Sequence, residues 1–240
     1  MNLIYTKILS CLLIFIVPLI AGFLVFKLKK HNKALMFASA EAFSCGIFLG
    51  AGLLHMLVHA LNAALLANIS NVSVMLTAGS AFLSMLLLEH IGRYFIDHNQ
   101  KFLPLLACLI LSLHSVSAGV ALGMANSAET IMVVLVAILS HKWAAGFALA
   151  ILLVKHLQNN AWSIYTLFLL MTPLGILLGQ TLMPFHDQSI GIYAHAFAAG
   201  TFLYIGTLHG LKQAVLVDRC CDLKAFIWVP LGFILMSLVS

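Results

Sequence analysis

His114-Ser-Val-Ser-Ala-Gly119 and His141-Lys-Trp-Ala-Ala-Gly146 are the two stretches on which the reading of this chain turns. Both have the form His-x-x-x-Ala-Gly, and both sit in the middle of long apolar segments between Phe102 and Lys155. Segments of about twenty apolar residues are long enough to cross a bilayer as helices. An imidazole at mid-depth is costly there, which makes each histidine a functional suspect. Two such residues on successive spans can face each other across a bundle, and neutral imidazole is a common ligand for zinc, copper, nickel and iron. A buried metal site is the first hypothesis; the plain alternative is a pair of histidines hydrogen-bonded between helices as packing glue.

The composition carries this picture to the whole chain. Of 240 residues, 63% are hydrophobic and only 8% charged, too little polar surface for a soluble globule. Lipid admits helices or closed barrels, and the apolar runs lack period-2 alternation, so the expected class is an all-α integral membrane protein. Eight spans are assigned: 8–26, 38–61, 73–92, 103–124, 131–154, 161–181, 192–211 and 225–239. They form a single eight-helix transmembrane domain over 1–240. The first span is expected to be retained, because its basic cluster follows the apolar run and no Ala-x-Ala site closes it. Cys11, Cys45 and Cys108 lie singly in spans and Cys220-Cys221 in a loop, so no disulfide framework is implied.

Ten of the twelve basic residues fall in loops on one side: Lys27, Lys29, Lys30, Lys33, Arg93, Lys101, Lys155, Lys212, Arg219 and Lys224. The opposite loops, 62–71, 125–130 and 182–191, contain none. The positive-inside rule therefore puts both termini outside, in a plasma or organelle membrane. Only Lys7 and Lys142 depart from the pattern. The net charge of +5 is thus a topology signal, and no nucleic-acid partner is expected.

Small residues let helix backbones approach in lipid. They appear as Gly46-x-x-x-Gly50, Gly119-x-x-x-Gly123, Gly146-x-x-x-Ala150 and Gly175-x-x-x-Gly179, with Ala196, Ala199 and Gly200 in span seven. Spans two, four, five, six and seven are expected to form the inner bundle, with one, three and eight outside it.

Around the mid-membrane pair, His114 lies beneath Ala118, and His141 aligns with Ala144, Ala145 and Ala148, leaving room for an ion. Ser115 and Ser117 could supply weak oxygen ligands or hold water. His55 and His59, four apart near the outer end of span two, have a bidentate spacing that suggests binding; without the glutamate of a metallohydrolase it does not suggest hydrolysis. His195, His186 and Asp187 could widen an outer vestibule. His209, His156 and His90 stand at the inner ends of spans seven, five and three. None of the seven carboxylates lies at mid-membrane; Glu41 and Glu89 come nearest. Lys142 is the mid-membrane cation, expected to be neutral, hydrated or facing a cavity. With no carboxylate placed as a base near His114 or His141, an intramembrane hydrolase is disfavoured and no enzyme is expected.

These residues and their order resemble the ZIP (Zrt/Irt-like) family of divalent metal transporters. The resemblance runs from about residue 38 to the end, through Phe43-Ser-Cys-Gly-Ile-Phe-Leu-Gly50, Leu54-His-Met-Leu-Val-His-Ala60, His114-Ser-x-x-x-Gly-x-Ala-Leu-Gly123, His141-Lys-Trp-x-x-Gly-Phe-Ala-Leu149, Thr172-Pro-Leu-Gly-Ile-Leu-Leu-Gly179 and Ala199-Gly-Thr-Phe-Leu-Tyr204. It implies a homodimer of eight-helix subunits in which helices four and five hold a buried, often two-metal site. His114 and His141 match that site's histidines, while Ser115 and Lys142 match positions lining the second site, where the lysine leaves room for one metal. The chain departs from the pattern where Ala118 and Ala145 replace carboxylates, His59 stands in a His-x-x-x-Glu place, and His209 replaces a glutamate late in helix seven.

The expected function is transport of a divalent transition metal, zinc first, into the cytoplasm. His55 and His59 would receive the ion, His114, His141 and Ser115 would hold it, and His209 would aid release. Zinc is cargo here, with no prosthetic group. The alternative is a transport-inactive ZIP-like sensor or regulatory subunit.

Overall fold

A computed structural model of the chain describes residues 3–28, 34–96, 102–157, 160–182, 189–209 and 226–238; the side chain of His209 lies outside that description, as do His186, Asp187, Lys212, Arg219 and Cys220-Cys221. The described residues are nearly all helical. Seven helices are long and apolar enough to cross a membrane, and the eighth, Trp228–Ser237, is a shorter apolar helix. The chain is a multi-pass, all-α integral membrane protein.

Spans one to six overrun the expected limits by one to five residues at most ends, whereas span eight is shorter than expected. Span one is Leu3–Leu28, three is Asn71–Ile96, four is Phe102–Met124, five is Ala128–His156 and six is Ala161–Leu182. Hydrophobicity alone marks the lipid-embedded part of a helix, whereas backbone hydrogen bonding carries each helix past it into the interface. Span five starts at a sequence-encoded cap, with the Ser127 hydroxyl accepting from the Thr130 amide at 3.1 Å. Spans two and seven are not uniform: span two runs Ala34–Gly50, widens to a π-helix over Ala51–Leu57 and resumes over Val58–Leu66, while span seven runs Ser189–Tyr204 before a π segment at Ile205–His209.

Lipid offers no hydrophobic drive to pair helices, so close packing decides who meets whom. The glycines show where. A Cβ on Gly119 or Gly123 would collide with the backbone of Thr172 or Ile176, and one on Gly175 or Gly179 with that of Val116 or Val120, so spans four and six meet backbone to backbone. Gly46 and Gly232 make the same seam between spans two and eight, and Gly200 lies against Ala78 of span three. Span one joins span five through Gly146, which faces Pro18; the Tyr165 hydroxyl of span six donates to the Pro18 carbonyl. The seams tie spans one, four, five and six into one group, and spans two, three, seven and eight into another.

The five spans expected to be innermost are those with the most buried apolar cores, from 67% in span four to 39% in span six, against 33% in span one and 22% in span three. The two basic residues outside the topology pattern are both accommodated inside the protein. Lys7, at the outer end of span one, donates to the Gly123 carbonyl at 2.6 Å and to Gln180 Oε1 at 2.5 Å, fastening spans one, four and six. At the opposite end, Lys155 of span five bonds Glu41 of span two at 2.6 Å, linking the two groups, and Arg93 pairs with Glu89.

Candidate metal site

His114 is fully enclosed, and its ring is fixed by its own hydrogen bonds. Nδ1 lies 3.2 Å from the Ala198 carbonyl and 3.0 Å from the Thr201 hydroxyl, and that hydroxyl donates to the same carbonyl at 2.7 Å. A carbonyl only accepts, and the threonine proton is already committed to it, so Nδ1 carries the ring proton. Nε2 then holds a lone pair, and it is buried without a hydrogen-bond partner. His141 faces His114 edge to face with ring centroids 5.6 Å apart, and its Nε2 is likewise buried and unpartnered. An unsatisfied buried nitrogen is costly, and two of them side by side call for a ligand. Backing a ligating imidazole by a carbonyl on its other nitrogen is the usual way a metal-binding ring is oriented.

Phe202 of span seven closes one side of the pair. Its ring stacks on His114 with centroids 3.5 Å apart and meets His141 edge-on at 4.6 Å. Ala118 and Ala145 are both buried. Among the described residues, no three His, Cys, Asp or Glu side chains converge into a ready ligand set.

The Lys142 amino group donates to Ser115 Oγ and Thr172 Oγ1, each at 2.7 Å, and lies 4.4 Å over the Phe168 ring. Two hydroxyls and a ring face do what water would. The Ser115 hydroxyl is turned toward that lysine and accepts its bond. Ser117 bonds back to the His114 carbonyl at 2.8 Å, the ordinary fate of a helical serine.

Toward the outer end, a cavity of about 490 Å³ is walled by His59, Asn62, Asn126, Thr130 and His195 among others. His59 and His195 stack at 4.8 Å, while His55 lies 6.2 Å from His59 and is buried one turn deeper. His55 and His59 remain ring neighbours, and His59 also stacks on His195 of span seven. His195, expected near the opening of span seven, lies within the helix Ser189–Tyr204. Its Nδ1 donates to the Gly191 carbonyl at 2.9 Å, which leaves its other nitrogen as the acceptor. A second, small cavity of about 10 Å³ lies between His55, Ala118, Ala137, His195 and Ala198. The histidines thus form a descending series, His59 with His195, then His55, then His141 with His114. His90 is exposed and stands apart from it.

Sequence reasoning missed Thr201, Thr172 and Phe202. Thr201 and Phe202 lie within Ala199-Gly-Thr-Phe-Leu-Tyr204, so that motif was the available signal.

Residues 98–240 match the family described as ZIP Zinc transporter. Zinc transporter ZIP1 of Danio rerio is 34% identical over 154 residues, 62% of this chain and 50% of that protein. Zinc transporter ZIP1 of Takifugu rubripes is 33% identical over 157 residues, 63% and 51% of the two chains. Zinc transporter ZIP1 of Homo sapiens is 35% identical over 140 residues, 55% and 43%. The chain spans about half the length of the curated relatives it matches. With the matched region covering more than half of the chain and taking in both mid-membrane histidines, this protein belongs to the ZIP zinc transporter family.

Proposed function

We propose that this chain, acting as a homodimer whose 1–240 segment is one transport unit, carries a divalent transition metal, zinc first, from the outside to the cytoplasm. The observation that carries the reading is the pair of buried, unpartnered Nε2 atoms of His114 and His141, one of them on a ring whose tautomer is already that of a ligand. Nitrogen ligation suits zinc, nickel and copper and disfavours magnesium and manganese. His55 and His59 receive the ion from the outer vestibule, and His209 assists its release.

Alternating access follows from movement of one four-span group against the other. Lys142, holding Ser115 and Thr172, fills the place of a second ion, so one metal is carried per cycle. Zinc flux into proteoliposomes containing the full chain tests this. His114→Ala and His141→Ala should each abolish flux; unchanged flux would refute the reading. Zinc binding with no flux in the unsubstituted chain would favour the sensor alternative. Native mass spectrometry tests the dimer.

A further inference from the structure

The contacts between the two helix groups change along the membrane axis. At the outer end the groups part, and the cavity of about 490 Å³ runs between them, with His59, Asn62 and His195 on one wall and Met124, Asn126 and Thr130 on the other. At mid-depth they touch, because the His114 ring of span four is bonded to Ala198 and Thr201 of span seven. At the inner end they are pinned. Lys155 Nζ of span five lies 2.6 Å from Glu41 Oε1 of span two, a charge-assisted hydrogen bond from one group to the other.

The other strong ties lie inside a group. Lys7 fastens spans one, four and six, Arg93–Glu89 is internal to span three, and the glycine seams join Gly119 to span six and Gly46 to span eight. The Glu41–Lys155 pair differs from them in chemistry as well as in place. Its side chains are 25% and 46% exposed, so water takes up both charges at little cost when the pair opens. Lys155 also sits in the last turn of its helix, where the macrodipole favours a cation with or without a partner. An exposed pair of this kind contributes little to folding, yet a small energy present in only one of two arrangements is enough to bias the balance between them.

We propose that Glu41 and Lys155 are an inner latch: the pair holds the inner ends of the two groups together while the outer cavity is open, and it parts when the path opens toward the cytoplasm. This rests on the transport reading above and adds a conformational control to it. Because the pair is weak, the latch sets the ratio of the two arrangements and does not decide whether the chain folds.

The test is a population measurement on the full chain in proteoliposomes without zinc, with its five cysteines replaced by serine and spin labels attached through Asn62→Cys and Asn126→Cys on the two walls of the outer cavity. Double electron–electron resonance between the labels separates molecules whose outer end is open from those in which it is closed. Glu41→Gln and Lys155→Met should each lower the open-to-closed ratio by about two- to fivefold, the range that an exposed pair can supply. Combining them should lower it no further, and the exchange of Glu41→Lys with Lys155→Glu should bring most of it back. A ratio unmoved by either single variant, or not restored by the exchange, overturns the inference. A second measurement does not depend on the size of that shift. Glu41→Cys and Lys155→Cys are joined in detergent by a short, reducible bifunctional thiol reagent before reconstitution, and zinc flux should vanish in the linked chain and return when the link is reduced. Flux that persists in the linked chain overturns the latch and leaves the transport reading standing. Absence of flux in the unsubstituted chain overturns the transport reading, and the spin-label ratio then decides the latch by itself.

Discussion

Thr201→Val should weaken zinc binding by about tenfold while leaving the fold in place. Thr201 is fully buried, and its hydroxyl has two partners, accepting at 3.0 Å from His114 Nδ1 and donating at 2.7 Å to the Ala198 carbonyl. Valine keeps the shape and removes both bonds. The Ala198 carbonyl remains 3.2 Å from Nδ1, so the ring proton stays on that nitrogen and Nε2 stays a ligand, but the ring loses half of its brace. Losing the outer partner of a ligating histidine costs about 10–100-fold in metal affinity. With one of two acceptors retained the loss should lie at the lower end, ~1.4 kcal/mol. The assay is chelator competition on purified protein, with size-exclusion chromatography to confirm a monodisperse fold. Affinity equal to wild type would show that Thr201 does not orient the ligand. A loss as large as that of His114→Ala would show that the carbonyl alone cannot hold the ring, and either result refutes the reasoning.

Zinc uptake should fall as the outer medium is made more acidic, because only neutral imidazole binds metal and protons compete for the same nitrogens; proteoliposome flux against outer pH checks it, and uptake that stays flat on acidification would count against a histidine path. Lys142→Met should lower thermal stability by about 1 kcal/mol for each of the two hydroxyl bonds it removes, read as a drop in melting temperature in detergent. Gly119→Ala should destabilise by about 1–3 kcal/mol, since its methyl meets the Thr172 backbone and a seam of two backbones cannot yield as a flexible side chain would. The Glu41–Lys155 pair, with the lysine side chain 46% exposed, should show a coupling below about 1 kcal/mol in a double-mutant cycle of melting temperatures.

Much of this architecture was legible in the order of residues. Hydrophobic length gave the spans, and the isolation of His114 and His141 in apolar surroundings gave the centre of the site. The glycine pairs announced close contact, but a seam says only that a helix is approached, and not by which neighbour. That is why Gly46-x-x-x-Gly50, expected in the inner bundle, turns out to receive span eight. The π segment was invisible, because nothing in Ala-Gly-Leu-Leu-His-Met-Leu distinguishes it from an α-helix. The stack of His195 on His59 was equally hidden, because it joins two helices far apart in the chain. Lys142 could be flagged as an anomaly, yet Thr172 could not be named as its partner, since thirty residues of chain separate them and only the fold brings them together.

An ion from the bath occupies a site only as its concentration dictates, and it leaves when the supply falls. The amino group of Lys142 is tethered to the backbone between Ser115 and Thr172, so its local concentration is set by a side chain's reach and not by the medium. Under the proposed function, the companion of the transported metal would be inherited with the chain and never recruited. Scarcity or excess of zinc would then change how often the histidine pair is filled, while the surroundings that the arriving ion meets would remain the same.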